Sequence, residues 1–124
     1  MENFIVPIEI FSQDGSRSVT IEALLDTRIC FTCLPSSLLH GLGIVPSRQI
    51  QSALPDGSIV ADEIGEALVK LDGVETHTIV LFDDDATTAR LGHHTLTGAL
   101  LKFDPVSRRL VPVRALRPTR LLVG

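Results

Sequence analysis

A chain of 124 residues with 44% hydrophobic side chains can bury a real core as one compact domain spanning 1–124, and two domains would be crowded. Aromatic residues make up 4%, with no Trp or Tyr, so stacking platforms for single-stranded nucleic acid are poorly supplied and the core must be Leu, Val and Ile. The formal charge of −4 argues against a nucleic-acid partner bound through the whole surface.

Met1-Glu2-Asn3 begins with an acid and lacks the cationic start and apolar run of a signal peptide, and no apolar stretch is long enough to span a bilayer. A cytoplasmic location with reduced cysteines and no membrane partner is the expectation. Phe4 to Ile10 reads as a first strand, with Pro7 favouring an edge position because it cannot donate to a ladder. Gln13-Asp14-Gly15-Ser16 turns the chain into a second strand. There Val19, Ile21, Ala23 and Leu25 alternate with Thr20, Glu22 and Leu24, which delivers the Asp26 carboxylate at a strand end between two hydrophobic runs. Such a carboxylate must find hydrogen-bond donors or shift its pKa.

Ile29 to Leu34 is short, β-branched and aromatic, which predicts a strand. A helix follows from Pro35-Ser36-Ser37 through His40, ended by Gly41 or Gly43. Arg48 to Leu54 and Ser58 to Ile64 flank Pro55-Asp56-Gly57, where Gly supplies the positive φ of a tight turn. These arms are polar and loosely alternating, as suits a mobile hairpin over solvent. Gly65 to Leu71 and Val74 to Phe82 form a firmer hairpin around Asp72-Gly73. Asp83-Asp84-Asp85 lacks the spacing and glycine of a calcium loop and reads as a solvated connection. After Leu91-Gly92 come a short helix, His93 to Thr97, and strands at Ala99 to Phe103 and Arg109 to Val113. The end, Leu121-Leu122-Val123, is apolar and needs somewhere to pack. From Lys102 to Gly124 six basic residues face one acid, a balance of +5 that leaves −9 elsewhere. A basic tail beside an acidic body suggests self-association or intramolecular docking at least as readily as an RNA partner.

No P-loop, dinucleotide fingerprint or Gly-x-Ser-x-Gly elbow occurs, and no cofactor is implied. Cys30 and Cys33 have C-x-x-C spacing, but residues three apart on a strand point to opposite faces, and His93 and His94 are adjacent. The expectation is buried or half-buried free thiols and no metal site. Asp26 therefore carries the only enzymatic proposal the residues support.

Leu24-Leu25-Asp26-Thr27-Arg28-Ile29-Cys30 resembles the active-site segment of the retropepsin-like aspartic proteases, hydrophobic-hydrophobic-Asp-Thr-Gly-Ala-Ser followed by a strand. The likeness continues in order through Leu34-Pro35, Leu38-Leu39 and Leu42-Gly43-Ile44, which look like the helix after the active site in the cellular and bacterial branch. Pro55-Asp56-Gly57 falls at the flap tip, and Arg90-Leu91-Gly92 at the second signature, hydrophobic-hydrophobic-Gly. The resemblance implies an all-β, closed, barrel-like acid-protease lobe with a flap hairpin and one or two short helices. It implies peptide hydrolysis by a homodimer in which Asp26 of each copy forms the catalytic dyad and Thr27 bonds across the two-fold axis.

The departures are Arg28 for the motif Gly, Ile29 for Ala, Cys30 for Ser and Arg90 for a hydrophobic residue. A guanidinium beside the dyad favours both carboxylates ionised and removes the shared proton. The alternative is a catalytically impaired dimer that binds peptides or anions in a cleft made cationic by Arg28 and Arg90. A purely structural dimerisation domain is a third possibility.

Overall fold

The computed structural model describes residues 3–84 and 88–120. It begins with an antiparallel pair, β1 (Ile5–Phe11) and β2 (Ser18–Leu25), in register from Ile5 opposite Leu24 to Phe11 opposite Ser18. The turn between them is organised by Asp14, whose Oδ1 accepts from the Ser12 and Ser16 hydroxyls and the Ser16 amide, with Gly15 at φ +74°. After β2 come β3 (Thr32–Pro35), α1 (Ser36–Gly41), β4 (Arg48–Ala53), β5 (Ile59–Leu71), β6 (Val74–Asp83), β7 (Ala89–Leu91), α2 (His93–Gly98), β8 (Leu101–Asp104) and β9 (Arg109–Pro112).

The main sheet runs β1-β2-β7-β3-β6-β5-β4, and β1 also pairs with β5, so six strands close into a barrel while β4 extends from β5 as a hairpin arm. β8 and β9 form a separate two-stranded sheet. The barrel is filled as the composition requires: Ile8, Ile10, Leu34, Leu39, Leu71, Val69, Val80 and Leu91 are fully buried in one continuous cluster. No helix among the described residues is long and apolar enough to cross a membrane.

Three strand expectations change. β1 is not an edge strand, because it pairs with β2 throughout and with β5 over Ile8–Ile10. Pro7 is tolerated for a local reason. The Leu25 amide donates to the Phe4 carbonyl, so even-numbered β1 residues turn their amides toward β2, and the Pro7 nitrogen faces the other side one step beyond the β5 ladder.

Gly65 does not end a strand either. β5 runs unbroken for 13 residues, pairing on one side with β4 and then β1, and on the other with β6. A Cβ at Gly65 would stand 2.8 Å from the Val45 carbonyl oxygen and 3.1 Å from the Phe82 ring, so this glycine marks a close approach.

The third change is at Ile29 to Phe31, which belong to a loop, with β3 starting only at Thr32. The two helices and both Asp-Gly turns lie where the sequence places them. Gly43, at φ +76°, follows α1, Gly57 lies at φ +89°, and Asp72-Gly73 has both residues at positive φ. Leu121-Leu122-Val123 and Asp85 lie outside the described residues.

Among the described glycines, the closest approach to backbone is at Gly92, between β7 and α2. A Cβ there would meet the Phe31 carbonyl carbon at 2.6 Å, its oxygen at 2.7 Å and the Thr32 nitrogen at 2.9 Å, all backbone atoms that cannot step aside. Gly92→Ala should therefore lower stability by about 2 kcal/mol or more, as overpacking against backbone does. Urea unfolding is the check, and a variant as stable as the parent would show that the crossing can open.

Candidate active site

Asp26 stands where the β2 ladder ends. β2 pairs in parallel with β7 from Ala23 opposite Ala89 to Leu25 opposite Leu91, and the Asp26 amide donates to the Leu91 carbonyl at 3.0 Å. The loop beyond is hung on the start of α2: the His93 amide donates to the Ile29 carbonyl at 3.0 Å, and the His94 amide to Cys30 at 2.8 Å. Beneath it a buried hydroxyl chain ties three elements. The Gly92 amide donates to Thr32 Oγ1 at 3.1 Å, Thr32 Oγ1 lies 2.6 Å from Thr95 Oγ1, and Thr95 Oγ1 lies 2.8 Å from Thr78 Oγ1. All three threonines are buried. The sequence reading missed them, although Thr78 shares strand parity with Val80 and Phe82, the signal of an inward-facing hydroxyl that needs partners.

The Asp26 side chain is 9% exposed, and both of its oxygens are taken by Arg28. Arg28 Nε donates to Oδ1 at 3.0 Å, its terminal nitrogen to Oδ2 at 3.2 Å, and its own backbone amide to Oδ1 at 3.1 Å. Arg90, on β7, approaches Oδ2 at 3.6 Å. The Arg28 guanidinium holds the Asp26 carboxyl below the usual carboxylate range. The Arg28 amide and the charges of Arg28 and Arg90 add to this, while partial burial works against it. Arg28 is not among the positive-φ residues, so its backbone takes an L side chain without strain. Thr27 is exposed, Ile29 half-buried and Cys30 exposed.

Beside this loop an open cleft of about 930 Å³ lies between Arg28–Phe31, the β4–β5 hairpin and the end of β6. Pro55-Asp56-Gly57 forms the hairpin tip: the Leu54 amide bonds the Ser58 carbonyl, and Asp56 Oδ1 accepts from the Ser58 hydroxyl and amide. Those two bonds hold the Asp56 carboxyl below its ordinary range. Pro55 lines the cleft, and Leu54, Ile59 and Val60 leave apolar surface exposed around the tip.

A cationic cleft does not result. Among the described residues, Asp62, Glu63, Asp83 and Asp84 line it alongside Arg28, whose charge is committed to Asp26. Arg90 approaches Asp26 and also acts on Cys33, its cross-strand neighbour.

Cys30 and Cys33 are both free, but only Cys33 is half-buried. Its thiol, on β3, is pushed up to about 11 by burial first and then by the negative charges of Asp83 and Asp62. Among the described residues no three His, Cys, Asp or Glu side chains converge as a metal site would require. Leu91 and Gly92 are buried beneath the loop, and His93 and His94 are exposed on α2, with the His94 ring edge-on to Phe31.

No family model matches this chain, and no curated protein matches it. Among solved structures, the solution structure of the simian foamy virus (mac) protease superposes with a TM-score of 0.55 at 16% identity, covering 75% of this chain and 91% of that one. The fold is retropepsin-like. At this identity the likeness concerns architecture: a closed β-barrel with two short helices.

The Asp26–Arg28 pair has a measurable consequence. A depressed carboxyl pKa contributes stability that is present above the unfolded value, about 3.9, and is lost as pH falls through the lower native value. A carboxyl-carbon NMR titration should place the Asp26 midpoint below that of an ordinary aspartate. In Arg28→Gln the midpoint should rise, and any stability difference between parent and variant at pH 7 should vanish in strong acid. An unchanged midpoint in the variant would mean that Arg28 does not hold the carboxylate in solution.

Proposed function

We propose that this chain is one subunit of a homodimeric aspartic endopeptidase in which Asp26 of two copies forms the dyad, with Arg28 as a latch that keeps the resting carboxylate ionised. The observation that carries the reading is the nearly buried Asp26 carboxylate, at the end of β2 beside an open cleft in a retropepsin-like fold. Peptide hydrolysis of this kind needs two carboxyl groups sharing one proton, one taking a proton from water and the other donating to the scissile carbonyl. Asp26 is followed by Thr27 as the motif requires, and a second Asp-Thr pair is absent from the sequence, so the second carboxylate must come from a second copy. In this reading the β4–β5 hairpin, with Pro55-Asp56-Gly57 at its tip, is the flap that closes over substrate.

Arg28 decides whether the dyad can work. Bound through two nitrogens, it fills the lone pairs that a shared proton and an attacking water need. Its side chain is 82% exposed and can swing into solvent, but doing so leaves the nearly buried Asp26 carboxylate to Arg90 and the loop amide. The same two-oxygen capture favours a second reading, a peptide-binding module that keeps the fold and the dimer but not the chemistry.

Cleavage of unstructured peptides between pH 4 and 7 separates the readings. Arg28→Gly should raise the rate at least tenfold, most at mildly acidic pH, and Asp26→Asn should abolish it. If Arg28→Gly and the triple change with Ile29→Ala and Cys30→Ser are both silent, the binding module stands and the peptidase reading falls. Sedimentation should show a dimer at micromolar concentration, weakened by truncation before Arg117. A monomer under those conditions would remove the shared dyad.

A further inference from the structure

We infer that Cys30 and Cys33 form a reversible disulfide, a redox-sensitive modification site on the loop that carries Arg28 and its hold on Asp26. The inference goes beyond both functional readings, because it concerns the state of the loop and not the reaction.

Alternation along a strand would splay two residues three apart. An extended chain would also set their Cα atoms roughly 10 Å from each other, beyond the about 7 Å that a disulfide spans. Neither obstacle applies here. β3 starts only at Thr32, and the chain bends at Ile29, Cys30 and Phe31 before entering it. Cys30 therefore lies on a curved loop and Cys33 on the strand that follows, and both line the same cleft. Both are free thiols. The Cys33 thiol donates to the Phe31 carbonyl at 3.6 Å, so it turns back along the chain toward the segment that holds Cys30.

The two thiols differ in the way a stepwise exchange needs. Cys30 is exposed and meets a soluble disulfide first. Cys33 is half-buried, and burial with the charges of Asp83, Asp62 and Asp26 keeps its thiol protonated, with Arg90 opposing. The Cys30 thiolate attacks one sulfur of a low-molecular-weight disulfide such as oxidised glutathione; a mixed disulfide forms, and the small thiolate released takes up the proton that Cys30 lost. Cys33 then gives up its proton, attacks the Cys30 sulfur and expels the second small thiol. Two protein thiols are oxidised to one bridge, and one small disulfide is reduced to two thiols.

The bridge acts on the latch because the loop is already pinned. The Ile29 and Cys30 carbonyls accept from the His93 and His94 amides, and two residues before Cys30 the Arg28 amide and guanidinium sit on Asp26. Drawing Cys30 onto β3 pulls on the segment that presents Arg28, and its hold on the carboxylate weakens.

The test uses the full chain, reduced and then equilibrated with oxidised glutathione. Mass spectrometry after alkylation should show a single chain that has lost two hydrogens and both alkylatable thiols, and dithiothreitol should restore both. Cys33→Ser should stop at one glutathione on Cys30, whereas Cys30→Ser should react at least tenfold more slowly than the parent. The Asp26 carboxyl-carbon midpoint should be higher in the bridged form than in the reduced form. Glutathione retained on Cys30 of the parent, a bridge between copies rather than within one, equal reaction of the two single variants, or no reaction of the folded chain would overturn the inference. So would a bridge that leaves the Asp26 midpoint in place, since the modification would then not reach the latch.

Discussion

The site depends on one crossing, where the link from β7 into α2 passes over the backbone of Phe31 and Thr32 so closely that only a glycine fits. The first amides of a helix have no partner inside the helix, and here they find partners in the loop after Asp26: His93 bonds Ile29 and His94 bonds Cys30. Thr32, Thr95 and Thr78 seal the underside, where an unpaired hydroxyl or amide would cost a desolvation penalty of roughly 1–3 kcal/mol. With Leu91 receiving the Asp26 amide, the loop is held from both sides by β7 and α2. The carboxylate is thus located by backbone bonds that do not involve the side chains of Arg28, Ile29 or Cys30.

That division explains how Arg28 is accommodated. Its φ is ordinary, its side chain projects into solvent, and the bonds that fix the loop use its neighbours' carbonyls. An arginine at this position sits without backbone strain. It acts instead on the charge state of Asp26, by a guanidinium whose planar fork matches the two carboxylate oxygens. Architecture and chemistry are separable at residue 28, so a retropepsin-like fold by itself says little about turnover.

The parts of the fold legible in sequence are those where a local conformation demands a residue type. Asp14-Gly15, Asp56-Gly57 and Asp72-Gly73 mark turns because positive φ is cheap only there, and strand parity located Asp26 at a ladder end. What failed required knowledge of neighbours. Gly65 looked like a break until the Val45 carbonyl and Phe82 ring stood against it, and Pro7 looked like an edge until the phase of the ladder showed where its nitrogen points. The charge of the cleft failed for the same reason. Arg28 and Arg90 were counted as free cations, whereas Asp26 takes both, and Asp62 and Asp83, apart in sequence, become neighbours only through the β5–β6 register.

The acidity of the cleft and the latch on Asp26 belong to one electrostatic neighbourhood, since the Cys33 thiol feels Asp83, Asp62 and Asp26 together, with Arg90 opposing them. At Asp26 itself partial burial raises the proton affinity, and Arg28 and Arg90 oppose it. Without the Arg28 side chain, burial would stand against the Arg90 charge alone, so the charge state of Asp26 is set chiefly by residue 28.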